Sequence, residues 1–133
     1  MAAKELKKYL ITLVILLILD IIWIFGIMGE FYSRQLSGFA RPVVVPIWSA
    51  ALVWLLIPLG IVLFVDRVAR SNRQSLAYGA VYGLILYGVY DLTNYATLGN
   101  WTIQLVIVDV LWGTFLCSVS SLGLRVAGKK WLR

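Results

Sequence analysis

Long apolar runs separated by charged clusters organise the chain. The first run extends from Tyr9 to Met28 with Asp20 as its one charge, and the second from Ile47 to Val65 with none. The third, Leu76 to Leu98, is broken by Asp91, and the fourth, Trp101 to Leu124, carries Asp109. Each run is close to the ~20 residues needed to cross a hydrocarbon core. A segment in lipid must satisfy its own backbone, so the pattern predicts an all-α integral membrane bundle of four transmembrane helices. The expected spans are about 9–28, 47–65, 76–98 and 101–124, in a single domain over residues 1–133. Lys4, Lys7 and Lys8 give the first run the basic front of a signal peptide. However, its apolar stretch exceeds the usual core of about 7–15 residues, and a retained helix is expected. Little more than Gly99-Asn100 joins the last two runs, which predicts a tight hairpin. The first connection, Gly29 to Pro46, is longer. Tyr32, Leu36 and Phe39 fall on one helical face there and Arg34, Ser37 and Arg41 on another, so a short amphipathic helix is expected on the outer surface. Pro42 and Pro46 should end it, and Pro58 should kink the second span.

Composition supports the same class. Of 133 residues 62% are apolar and 14% charged, against about 25% charged in an average soluble protein. A soluble domain of this size cannot hide so much apolar surface. That argues against a soluble enzyme, a disordered tail and a nucleic-acid binder. The net charge of +6 comes from basic residues that flank the apolar runs. Lys4, Lys7, Lys8, Arg67, Arg70, Arg73, Arg125, Lys129, Lys130 and Arg133 would share one side, and only Arg34 and Arg41 the other. Such asymmetry predicts cytoplasmic termini. There is no histidine, one cysteine (Cys117), and no lysine inside an apolar run. Histidine metal sites, His-assisted nucleophiles and an internal disulfide are thereby excluded, and no cofactor or metal is expected.

The candidate chemistry lies in three carboxylates. An aspartate at mid-membrane costs about 2.5–3.5 kcal/mol on insertion scales and rarely faces lipid. Counting about 1.5 Å per residue, Asp20 and Asp109 reach similar depths near the midplane, and Asp91 lies closer to the outer face. Asp20 and Asp109 should therefore approach each other on adjacent helices, where desolvated carboxylates could share a proton. Both belong to a D-x-x-W sequence, with Trp23 and Trp112 one turn on. On the third run Gly79, Gly83, Tyr87, Asp91 and Tyr95 form an i+4 row, with Asn94 beside it. Glycines in such a row permit close helix approach, and polar residues often serve only to bind helices together. The candidate catalytic residues are Asp91, Asp20 and Asp109. The candidate ligand-binding residues are Tyr90, Thr93, Asn94, Tyr32, Trp23 and Trp112, with Arg34 and Arg41 at the rim to hold an anionic headgroup.

These residues carry a resemblance over essentially the whole chain. Asp20 and Trp23, Phe31-Tyr32, Tyr90-Asp91-Leu92-Thr93-Asn94, Ala96-Thr97-Leu98, Trp101, Asp109 and Trp112-Gly113 are similar to the domain of unknown function 2177 family of small bacterial membrane proteins. The resemblance implies a four-helix protein of the bacterial inner membrane and supplies no activity. Three readings follow. The first is binding or processing of a lipid or small amphiphile at an outer-leaflet polar pocket centred on Asp91. The second is an accessory subunit that docks a membrane-protein partner. The third is a small proton-coupled transporter, as a homodimer, using Asp20 and Asp109. The expected partners are accordingly membrane lipid, a membrane protein or a second copy, and no nucleic acid.

Overall fold

The computed structural model describes residues 3–38 and 46–131. Phe39, Arg41, Pro42 and Arg133 lie outside the described residues, as does the side chain of Trp131. The described chain is all-α. Helix α1 covers Ala3–Ile27, α2 Gly29–Leu36, α3 Ile47–Val68, α4 Asn72–Thr97 and α5 Ile103–Trp131. Three of them, α1, α3 and α5, are long and apolar enough to cross a membrane. α4 is 26 residues long but less apolar, because four tyrosines and three glycines punctuate its stretch from Leu76 to Thr93. The helices overrun the apolar runs at their charged ends, since lysine and arginine are good helix formers.

Local chemistry sets the boundaries. Ser71 caps α4, accepting from the Gln74 backbone N–H at 3.1 Å, and Gln74 accepts from the Arg70 N–H at 2.7 Å. This is a variant of the capping box. The Thr102 hydroxyl accepts from the Leu105 N–H at 3.2 Å to start α5. α2 ends at Leu36, one turn earlier than the amphipathic pattern suggests, before a turn at Ser37 and Gly38. Each outer α-helical span also contains a π-turn, Ile22–Ile27 in α1 and Ile61–Val65 in α3. The second follows Pro58 by one turn. Such turns insert a residue and re-aim the side chains beyond them.

α4 and α5 form the most extensive pairing, α1 packs on α5 and α3, and α3 meets α4 mainly through residues 61–65. Leu16, Ile61, Val62, Leu116, Cys117 and Leu124 are buried where α1, α3 and α5 converge. A Cβ on Gly79 would lie 2.6 Å from the Cys117 carbonyl oxygen, and one on Gly83 would meet the Gly113 backbone. The α4 and α5 backbones therefore touch, as expected from the glycine row. Leu84, Ile85, Val89, Leu92, Ile107 and Leu111 remain exposed around this pair.

Candidate functional site

Asp20, at the last turn of regular α-helix in α1, is buried. Its two carboxylate oxygens accept from two indoles, Trp54 of α3 at 2.7 Å and Trp112 of α5 at 2.9 Å. Asp109 of α5 accepts from the Tyr32 hydroxyl of α2, which itself accepts from Trp23 Nε1 at 3.0 Å. Trp23 and Trp112 stack with ring centroids 4.2 Å apart and planes 2° from parallel. The two D-x-x-W sequences thus cross. The tryptophan of α5 serves the aspartate of α1 directly, and the tryptophan of α1 serves the aspartate of α5 through Tyr32. The π-turn of α1 begins next to Trp23 and aims this ring across the helix pair.

Asp20, Asp109, Trp23, Trp112 and Tyr32 accordingly lie in one cluster, two hydrogen-bonded sets joined by the Trp23–Trp112 stack. Among the described residues no hydrogen bond joins the two carboxylates directly, and no salt bridge reaches Asp20, Asp91 or Asp109. Neutral N–H and O–H donors satisfy Asp20 and Asp109 instead. Burial, reinforced by the bond to Asp109, pushes the Tyr32 phenol well above its ordinary range, so this group stays a neutral donor.

Tyr32 also fastens α2 to the bundle. Thr102 donates to the Gln35 side chain and Asn100 donates to the Gly38 carbonyl at 2.6 Å, so the α4–α5 turn grips the same segment. Tyr32→Phe removes one donor from Asp109 and the acceptor of Trp23. Backbone amides of α2 should then exchange with solvent roughly tenfold faster, equivalent to about 1.4 kcal/mol, while those of α5 change little. Unchanged exchange in α2 would show that Tyr32 does not hold it.

Asp91 occupies a different place from the expected open pocket. It is fully buried (0% exposed) on the α4 face that carries Gly79 and Gly83. One oxygen accepts from Trp101 Nε1 at 3.2 Å, and the other is buried without a hydrogen-bond partner. Its neighbour Tyr90 is 58% exposed and sets its ring edge-on to Trp101 at 5.9 Å. Thr93 is exposed and Asn94 half-buried. The reason is angular: positions one and two residues on from Asp91 point to other faces of the helix, and only i+3 and i+4 stay near it. Arg34 does not turn to Asp91. It is 78% exposed, pairs with Glu30 at 3.8 Å and bonds the Glu30 carbonyl. Arg41 is outside the described residues.

Two features escape a reading of spacing alone. Trp54 is one, although an indole N–H in a charge-free span signals a need for an acceptor. The other is an apolar groove of about 390 Å³ between α3 and α4, lined by Val53, Leu56, Ile57, Leu86, Tyr87 and Tyr90. It forms because α3 meets α4 mainly through the 61–65 turn.

Residues 5–124 match the family described as predicted membrane protein (DUF2177), and the chain belongs to that family. Comparisons with curated proteins and with solved structures give no match.

Proposed function

We propose that the protein binds a lipid or similar amphiphile in the groove between α3 and α4. The observation that carries this reading is the groove itself. Its volume falls within the range of about 300–1,000 Å³ common for small-molecule sites. Its rim residues Leu56, Val53 and Tyr90 are exposed, and an apolar groove at hydrocarbon depth is filled by a chain rather than water. Tyr87 and Tyr90 add hydroxyl-bearing rings to one wall. The reading takes α4 as the fourth span of a bacterial inner-membrane protein with cytoplasmic termini. In support, α4 lies along the full-length span α5 with its backbone in contact, and Lys129 of α5 reaches Asn72 at the start of α4. Proton-coupled transport through Asp20 and Asp109 has less support, because fixed indole and phenol donors already occupy both carboxylates. An accessory subunit remains the alternative, with the apolar outer face of α4 and α5 as its contact for a membrane-protein partner or a second copy.

The test is mass spectrometry of lipids retained after gentle purification. Leu56→Trp fills the groove and should lower retention of a defined lipid roughly tenfold. Phe64→Trp, on the exposed side of α3, should leave it unchanged. Equal retention by the wild type and Leu56→Trp would sink the proposal.

A further inference from the structure

The opposite end of the molecule holds a second, unrelated pocket. The first turns of α1, the end of α3 and the last turns of α5 enclose about 250 Å³ there, lined by Lys4, Lys8, Asp66, Arg125, Gly128 and Lys129. Four cations and one carboxylate face this space. Lys8 is neutralised, bound to Asp66 at 2.8 Å and to Glu5 at 3.2 Å. The other three cations have no carboxylate partner among the described residues.

Arg125 is placed by the backbone. Nη1 donates to the Ala69 carbonyl at 3.0 Å, and Nη2 to the Arg70 carbonyl, so the guanidinium covers the end of α3. Its Nε is buried without a hydrogen-bond partner, and no carboxylate among the described residues pairs with it. Lys129 reaches only the neutral Asn72 side chain, at 3.4 Å. The positive end of the α1 dipole lies at Lys4 and favours an anion. The negative ends of α3 and α5 oppose it, but Arg125 covers the α3 carbonyls, and Lys129 and Lys130 stand in the last turn of α5. Gly128 offers no side chain to fill the space.

We propose that this pocket binds a phosphate group, with Lys4 and Lys129 as its mobile donors and Arg125 as a fixed positive wall. Ammonium and guanidinium groups form strong charge-assisted bonds to phosphate oxygens. With the orientation proposed above, the pocket opens at the level of the cytoplasmic headgroups. Anionic lipids there are drawn to basic pockets between membrane helices. The chemistry is shared by a lipid headgroup and by a free phosphate. The site rests on its own residues and not on the α3–α4 groove.

Binding is read by native mass spectrometry of the detergent-solubilised full chain, titrated with phosphatidylglycerol, phosphatidylcholine or inorganic phosphate. Phosphatidylglycerol should bind in preference to phosphatidylcholine. Lys4→Gln with Lys129→Gln should weaken it about 30-fold, as roughly fivefold per lysine at an anionic surface implies. Lys7→Gln with Lys130→Gln removes the same charge from the same end but outside the pocket, and should weaken binding far less. If inorganic phosphate competes at comparable concentration, the source is a soluble phosphate; if it does not, the source is the lipid. Equal losses in the two double variants would mean diffuse attraction and would overturn the site, as would no preference for either phosphate probe over phosphatidylcholine. Thermal melting of each variant, expected within a few degrees of wild type, separates lost binding from lost folding.

Discussion

Gly83→Val is expected to separate α4 from α5 and to destabilise the protein by about 3 kcal/mol or more, the upper range for overpacking. A Cβ at this position would lie 2.9 Å from the Cys117 Cβ and would strike the Gly113 backbone. Backbone cannot move aside as the end of a flexible side chain can. Gly79→Val should behave similarly, since Ser118 Cα would lie 2.9 Å from the new atom. Gly88 supplies the control on the same helix. Nothing lies within 4 Å of a Cβ there, so Gly88→Val should cost little. Thermal unfolding in one detergent would rank the three. A Gly88 variant as damaged as the Gly83 variant would place the cost in helix propensity rather than in contact between the helices.

The second large effect is expected at Asp20. Asp20→Leu leaves the indoles of Trp54 and Trp112 without their acceptor. Interhelical hydrogen bonds in bilayers contribute about 0.6–2 kcal/mol each, so the loss should be about 2–3 kcal/mol. Asp20→Asn keeps one acceptor oxygen and should fall between Asp20→Leu and wild type. Trp112→Phe removes one donor but keeps a ring to stack on Trp23. Combining it with Asp20→Leu should cost less than the two single changes together, because residues in one hydrogen-bond network do not act independently. Strict additivity in unfolding measurements would show that the Asp20–Trp112 bond contributes nothing.

Three of the four expected spans were legible because a long apolar run bounded by lysine and arginine leaves a coarse signal, whereas α4 forms as a helix but falls short of that apolarity. The glycine row on α4 was legible for a related reason, since Gly79 and Gly83 repeat at the helical period and their buried face includes Asp91. The D-x-x-W echo also carried real geometry, as its four residues converge in one cluster. What spacing left out was the direction of individual side chains across helices. It could not show that Tyr32 stands between Trp23 and Asp109, or that Trp54 serves Asp20 from 34 residues away. It also grouped Tyr90 and Thr93 with Asp91 as one pocket, whereas helix rotation buries Asp91 and exposes the other two. Arg34 pairs with a local carboxylate four residues back, Glu30, a contact that the rim assignment did not foresee. The α3–α4 groove depends on where two helices diverge, a property of packing with no local sequence mark.

The crossed arrangement around Asp20 has a consequence for how the chain enters the membrane. Its two donors come from residues 34 and 92 positions later. At a synthesis rate of about 5–20 residues per second, Trp54 follows after roughly 2–7 s and Trp112 after roughly 5–18 s. Until Trp54 is made, α1 holds a carboxylate with neither indole available, and until Trp112 is made it has at most one. The strongly apolar remainder of α1 offsets the cost of about 2.5–3.5 kcal/mol and lets the helix insert alone. The order of synthesis therefore makes α1 a span that inserts first with its polar group unmatched, and α5 the element whose arrival completes the cluster.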